Sequence, residues 1–322
     1  MGNTQLFHPY ERDMLYREVQ MLCKEFEFET KPVKGHVAWV QETLNYLLGL
    51  SMSVDNQLGT TTGNALKVFQ KRTRLLETGK ADFQTERRLL EENALAKTAS
   101  GRQRHEVAQL IAVAKTWIED WTNKAVIPAH KKQLILHTFR DPRTLTSLVL
   151  HQMAYKAKDK YGQYSNPEKY LTVGAHFCIM RDGRIMQHHP ISRFIWHSNC
   201  TSPLSIGVEF EGNFANTKGK WWYDTNKTTG KKIIANEDTP TDAQFEAGQF
   251  LLTYLKSIMG LKNVLAHRQS SDSRENDPGP DIWVNVGEWG LTHLGLSDGG
   301  TTFKCGKGNP ILPEWRTWQG NV

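Results

Sequence analysis

Two histidines and an aspartate have the residue types of a metal-binding set: His151, His267 and, ten residues after it, Asp277, which opens the run Asp277-Pro278-Gly279-Pro280. Two imidazoles and one carboxylate drawn from distant segments suit an open three-ligand zinc site, with the fourth position left for a reacting water. Such a set keeps a net positive charge on the ion, so it would polarise a carbonyl and lower the pKa of the water to about 7. The chain therefore reads first as a metallohydrolase. A lone histidine at the end of an apolar run is ordinarily structural, so the surrounding elements have to carry the argument.

Those elements read as strands ending at one rim. Leu145 to Leu150 runs mostly apolar into His151, and Val264-Leu265-Ala266 runs into His267, as expected for ligands at strand ends. Phe177 to Met180, the turn Arg181-Asp182-Gly183-Arg184, and Ile185 to Gln187 read as a hairpin around a strong Asp-Gly turn signal. In Ser205 to Gly212 a period of two puts Ile206, Val208 and Phe210 on one face. Ser205, Gly207, Glu209 and Glu211 fall on the other face, where small residues leave room for a substrate and Glu209 becomes the candidate general base. Thr241-x-x-Gln244 is a capping box opening a helix whose Gly248, Leu251, Leu252, Leu255 and Ile258 face inward until Gly260. The expected fold class is α+β or α/β, a mixed central sheet flanked by helices.

Read in order, Val149-Leu150-His151, Gly174-Ala175-His176-Phe177, Arg181 to Ile185, Trp196-His197, Ser205 to Glu209, Thr241 to Phe245, Ala266-His267-Arg268 and Asp277 to Pro280 resemble the zinc N-acetylmuramoyl-L-alanine amidases of the peptidoglycan-recognition type. The resemblance implies that His151, His267 and Asp277 bind zinc and that Glu209 is the general base or stabilises the transition state. It implies cleavage of the amide between the muramic acid lactyl group and the L-alanine of the stem peptide. His176, Trp196 and His197 match positions lining the family's cleft and are candidate substrate contacts. One departure matters: relatives often carry a Lys two residues before the ligand aspartate, where this chain has Glu275, preceded by Arg274. A carboxylate aimed at a developing oxyanion would repel it, so either Arg274 takes the cationic role or zinc and Glu209 suffice. Asp272 is close enough in sequence to compete with Asp277 as a ligand.

Upstream, Val37, Val40, Leu44 and Leu47 keep helical spacing, followed by Val54 to Gly59, a helix with Ala65, Leu66 and Phe69 inward, and then Gly79, Asp82, Thr85 and Leu89. With Asp55, Gly59 and Thr62, and Ala65, Phe69 and Gln70, this resembles the small all-α, three-helix peptidoglycan-binding domain attached to many wall hydrolases. Asn56 stands where a glycine is expected and still tolerates a left-handed turn. Val107, Leu110, Ile111, Ala114, Trp117, Ile118 and Trp121 form a stripe for a packed connecting helix over about 104–122, and Leu15, Val19, Leu22 and Phe26 suggest another helix over 10–26. The expected division is a helical extension (1–35), the binding domain (36–95), a helical connector (96–144), the zinc amidase (145–290) and a C-terminal extension (291–322) that wraps the catalytic domain. Residues 213–238, with Trp221-Trp222-Tyr223 among Lys218, Lys220, Lys227, Lys231 and Lys232, read as an exposed hairpin insertion or as a basic, aromatic rim for sugar and acidic peptides.

Composition fits two compact domains plus connectors: 322 residues with 39% apolar residues can build both cores. A net charge of +6 favours anionic surfaces, but no nucleic-acid-binding module is recognisable, so bacterial peptidoglycan is the expected partner. Cys23, Cys178, Cys200 and Cys305 are dispersed without a Cys-x-x-Cys pair, so neither a disulfide framework nor a cysteine zinc finger is indicated. No apolar signal region or membrane span is visible. Synthesis in the cytoplasm followed by action on the wall then calls for release through a holin, as for a phage endolysin, or injection by a secretion apparatus, with an immunity protein as a further partner. A recycling amidase is a third option. The rival of another class is a non-catalytic peptidoglycan-recognition protein using the same cleft, but such relatives commonly lose a metal ligand and this chain keeps the full set.

Overall fold

The computed structural model describes residues 35–99, 101–126, 139–154, 158, 162–226, 228–234 and 236–320. The helix expected over 10–26, and Cys23, lie outside the described residues. Three helices come first: α1 (His36–Leu48), α2 (Thr60–Arg72) and α3 (Phe83–Lys97). Their apolar stripes meet through Trp39, Val40, Leu44, Leu66, Phe69 and Leu89, all buried, each such side chain contributing about 1.5–3 kcal/mol. Polar side chains set the turns. Buried Gln41 reaches Asp55 at 2.7 Å and Thr62 at 3.1 Å, and its own carbonyl accepts from the Asn56 amide. Asn56 takes a left-handed φ of 59°, which its short amide side chain tolerates. Gln70 ties Thr78 to Thr85, both at 2.9 Å, and Asp82 caps α3 by accepting from the Thr85 amide. Asp55, Thr62 and Gln70 thus frame the bundle.

A fourth helix, α4 (Gly101–Trp117), packs on α3, and the chain then leaves the helix earlier than its apolar stripe suggests. Residues Ile118–Asp120 form strand β1, because parallel pairing at the sheet edge satisfies their backbone while burying Ile118. The remaining strands of the main sheet are β2 (Ser147–Gln152), β3 (Phe177–Ile179), β4 (Ile185–Gln187), β5 (Ser205–Phe210) and β8 (Asn263–Ala266). Their order is β1-β4-β3-β5-β2-β8, with only β3 and β4 antiparallel, a mixed six-stranded sheet as expected. β6 (Asp224–Thr225) and β7 (Lys232–Ile233) make a separate antiparallel hairpin in the insertion, with β7 exposed.

Helix α5 (Asp242–Met259) covers one face of the main sheet. It opens on the Thr241–Gln244 capping box and stops at left-handed Gly260. Gly248 is needed where it lies, since a Cβ there would come 2.9 Å from Val286 and 3.0 Å from Phe210. Leu89 and Leu90 of α3, Ile111 and Ala114 of α4, and Leu251, Tyr254 and Leu255 of α5 belong to one apolar cluster that continues into β2 and β5. The three-helix module is therefore fused to the sheet domain through a shared core. Arg143–Glu42 at 2.7 Å and Gln84–Asp120 at 2.6 Å close the edges of this joint.

The C-terminal segment packs along the sheet domain, against the His267–Ser270 turn and residues 281–288. Trp315 is buried against the Arg268 guanidinium, 4.8 Å from its ring centroid, and Asp298 binds Arg316 at 2.5 Å. Cys200 and Cys305 are joined by a disulfide, which corrects the expectation of no disulfide. Separation by 105 residues leaves no spacing motif, and the pairing exists only because the wrap brings Cys305 onto the 199–204 turn.

Candidate metal centre

Strand register builds the site. Paired residues share a face, so His151 of β2 lies beside Glu209 of β5, Glu209 beside Cys178 of β3, and Cys178 beside Met186 of β4. This is the face turned away from α5, since Ile206, Val208 and Phe210 belong to the core on the other side. His267 begins a 3-10 turn at the end of β8, next to β2. Asp277 returns to it from the following loop, with its amide donating to the Arg274 carbonyl at 3.1 Å.

His151, His267 and Asp277 are buried and offer one ligand atom each to a common point. Nδ1 of His151 lies 3.0 Å from Nδ1 of His267, and Asp277 Oδ2 lies 3.0 Å from the latter and 3.9 Å from the former. Donors about 2.0 Å from a tetrahedral ion stand about 3.3 Å apart, so the spacing suits a metal. So does the chemistry, because two imidazole nitrogens and a carboxylate oxygen crowded together need a cation among them. Asp272, the competing aspartate, is exposed and not part of the cluster. Asp277 Oδ1 accepts from the Gln152 amide at 2.8 Å. The Gln152 side chain donates to the Asn276 carbonyl and accepts from the Phe214 amide. One glutamine thus locks β2, the ligand loop and the insertion together.

A proton-ordered chain runs behind His151. If its Nδ1 faces the metal, Nε2 carries the proton and donates to His197 Nδ1 at 3.0 Å; His197 Nε2 then donates to Ser205 Oγ at 3.2 Å. Ser205 Oγ donates in turn to the Thr201 carbonyl at 2.6 Å. Each donor in this sequence has one acceptor, so the tautomers are assigned by the bonding pattern. Such partners fix the orientation and basicity of a ligand imidazole. His197 thus orients a candidate metal ligand. Gly207 leaves the space it needs, since a Cβ at that position would meet the His197 ring at 2.7 Å. We expect Gly207→Ala to push His197 aside and weaken metal binding by roughly ten- to a hundredfold. Competition with a chromogenic chelator measures this, and wild-type affinity in folded protein would remove the orienting role.

The other candidate contacts fall in different places. His176 is wholly buried; its Nδ1 accepts from the Gly207 amide at 3.0 Å and its Nε2 donates to the Arg193 carbonyl at 2.9 Å. Burial, then the Arg140 charge, holds its pKa well below the ordinary histidine value, so it is a neutral cross-brace. Of the candidate substrate contacts, it is the one placed wholly inside the protein. Trp196 is half-buried, its ring 6.3 Å from that of Phe194. Arg274 and Glu275 are exposed; the Arg274 guanidinium lies 5.8 Å from the Trp222 ring centroid, and the Glu275 carbonyl accepts from Arg268. Glu209 is half-buried beside His151. Burial, and then Glu209 and Glu211, push the Cys178 thiol well above its usual range, leaving it a poor nucleophile. Gln152, Ser205 and Arg140 support the site without having stood out in the sequence. Ser205 alone had a signal, its place on the Glu209 face.

Residues 140–280 match the family model described as N-acetylmuramoyl-L-alanine amidase, and residues 34–89 match that of a peptidoglycan binding domain. The 1,6-anhydro-N-acetylmuramyl-L-alanine amidase AmpD of Enterobacter cloacae is 25% identical over 142 residues, 40% of this chain and 59% of the relative. AmpD of Escherichia coli (strain K12) is 28% identical over 124 residues, 34% of this chain and 54% of the relative. The chain thus spans little more than half the length of the curated relatives it matches. Among solved structures, the N-acetylmuramoyl-L-alanine amidase LysC from Clostridium intestinale URNW is similar at 17% identity with a TM-score of 0.36, covering 56% of this chain and 98% of that one. Residues 140–280 thus match as a domain of the N-acetylmuramoyl-L-alanine amidase family, and residues 34–89 as a peptidoglycan binding domain.

Proposed function

We propose that the protein is a zinc-dependent peptidoglycan amidase that hydrolyses the amide between the lactyl group of N-acetylmuramic acid and the L-alanine of the stem peptide. The observation that carries this reading is the convergence of His151 Nδ1, His267 Nδ1 and Asp277 Oδ2 beside Glu209. Zinc held there would supply a Lewis acid for the carbonyl and would lower the pKa of the attacking water to about 7. Glu209 takes a proton from that water as its oxygen bonds to the carbonyl carbon, and delivers the proton to the alanine nitrogen as the C–N bond breaks. The products are a lactyl carboxylate and a free L-alanine amine. His197 keeps the His151 imidazole oriented throughout.

The binding domain supports insoluble wall as the substrate, and with that substrate goes work outside the cytoplasm, as an endolysin or an injected effector. The Cys200–Cys305 disulfide is in keeping with that setting, because such bonds persist in oxidising compartments. The AmpD relatives are 1,6-anhydro-N-acetylmuramyl-L-alanine amidases, which favours 1,6-anhydro fragments as the second reading. Mass spectrometry after incubation with purified sacculi, and separately with 1,6-anhydro muropeptides, separates the cases. Stem peptides beginning at L-alanine released from sacculi are the expected result. Cleavage of the anhydro fragments alone would support recycling, and intact products from both would leave a binding protein.

A further inference from the structure

We propose that Glu86, on the third helix of the wall-binding module, is a positioning residue for the metal centre, so that the module forms part of the catalytic apparatus as well as a means of attachment. The inference rests on the amidase reading above. Its structural content is a short buried path. Glu86 is 2% exposed, and it reaches out of the module to Ser192, on the loop that follows β4. Its Oε1 accepts from the Ser192 amide at 3.1 Å, and its Oε2 accepts from the Ser192 hydroxyl and lies 3.0 Å from His36 Nε2. Five residues further along that loop stands His197, which holds the proton of the ligand His151.

The intervening segment has little freedom to absorb a displacement. Ser192, Phe194, Ile195 and His197 are all buried. The Arg140 amide donates to the Ser192 carbonyl at 2.7 Å, and Arg140 Nη2 donates to the Arg193 carbonyl at 2.8 Å. Nη1 of the same guanidinium donates to the Ser202 carbonyl at 2.8 Å, and the Ser202 hydroxyl accepts from the His197 amide. Arg140 therefore straps both ends of the segment. Its charge has to be balanced in a dry environment: burial pushes it down to about 9, and Glu86 is the carboxylate that opposes this. Arg193 is lowered by burial and countered by Glu86 in the same way. A carboxylate from one module thus compensates guanidinium groups within the other, at the root of the loop that orders a metal ligand. Errors near 1 Å in a supporting shell are enough to impair a site.

The test uses the full-length chain labelled with 15N-histidine, in metal-free form and then with zinc. Glu86→Ala should move the His197 and His151 ring signals in the metal-free protein and weaken zinc binding by roughly tenfold. It should lower kcat on a small soluble muropeptide, too short to span both modules, with little change in KM. Glu86→Gln keeps an acceptor for Ser192 and should recover part of the loss. If Glu86→Ala does not fold, Glu86→Gln and Ser192→Ala carry the test, each with a smaller shift in the same direction. Tyr254→Phe removes the 2.9 Å hydrogen bond to Glu91 at the same joint and should leave spectra, zinc affinity and kcat as in the wild type. Folded Glu86 or Ser192 variants with wild-type spectra and zinc affinity would overturn the proposal, as would equal losses in Tyr254→Phe. A wild-type chain that leaves the muropeptide intact would sink the amidase reading, while the histidine spectra would still decide the role of Glu86.

Discussion

His151→Ala and His267→Ala should each bring the bound zinc of the purified protein close to zero after dialysis, and hydrolysis should vanish with it. Loss of an outer-shell partner costs a metal site about ten- to a hundredfold in affinity, and loss of one of three direct ligands has to cost more. In His151→Ala the remaining pair is also badly placed, since His267 Nδ1 and Asp277 Oδ2, 3.0 Å apart, would hydrogen-bond to each other instead of facing a cation. Chelation of the wild type should abolish activity, and added zinc should restore it, because the sheet that carries His151 is held by apolar packing that does not need the ion. Zinc per mole of folded protein, by elemental analysis beside circular dichroism, is the measurement. Full turnover in metal-free protein would end the zinc mechanism.

Glu209→Gln should keep its zinc and lose turnover by roughly a hundredfold or more, the usual contribution of a general base. The prediction follows from register, because Glu209 lies directly beside His151 on the face away from α5. Glu275 makes the contrast. Its side chain is exposed, and an exposed substitution usually alters energies by about 0.5 kcal/mol or less, so Glu275→Gln should change turnover by no more than about twofold. Glu275→Lys should be tolerated or raise activity by placing a cation near a developing oxyanion. Turnover of one muropeptide, with zinc content checked for each variant, separates the two carboxylates. An inactive, zinc-loaded Glu275→Gln beside an active Glu209→Gln would exchange their roles.

What was legible in the sequence was local or periodic. The Thr241–Gln244 box, the Asp182-Gly183 hairpin and the alternation through Ser205–Phe210 each fit within one element, so side-chain chemistry alone specified them. The histidines were legible because apolar runs delivered them to strand ends. Contacts between remote segments were hidden: Glu86 on α3 looks like any carboxylate in a helix, and nothing near it in the chain announces Ser192, 106 positions away. Residues Ile118–Asp120 were hidden for another reason. Their apolar spacing continued the helical stripe, and only a free edge beside β4 made a strand the better use of their backbone. The burial of His176 and its two internal hydrogen bonds were hidden for the first reason, because its partners Arg193 and Gly207 lie on other segments.

The wrap behind His267 has a consequence for the order in which the site can form during synthesis. The His267–Ser270 turn is held from behind by the Cys305 amide on the Gln269 carbonyl and by the Asn309 amide on the Arg268 carbonyl. Gly308 lies so close that a single added carbon would collide with the Gln269 backbone. A ribosome that has just delivered Asp277 has therefore made every ligand while the brace for one of them is still some thirty residues short of existing. Domains tend to fold in the order they emerge, so the three-helix module and much of the sheet can be in place while the metal centre still waits for its brace. On the amidase reading, a nascent chain thus remains a poor hydrolase until residues 305–309 have been added, so activity follows the last candidate ligand instead of arriving with it.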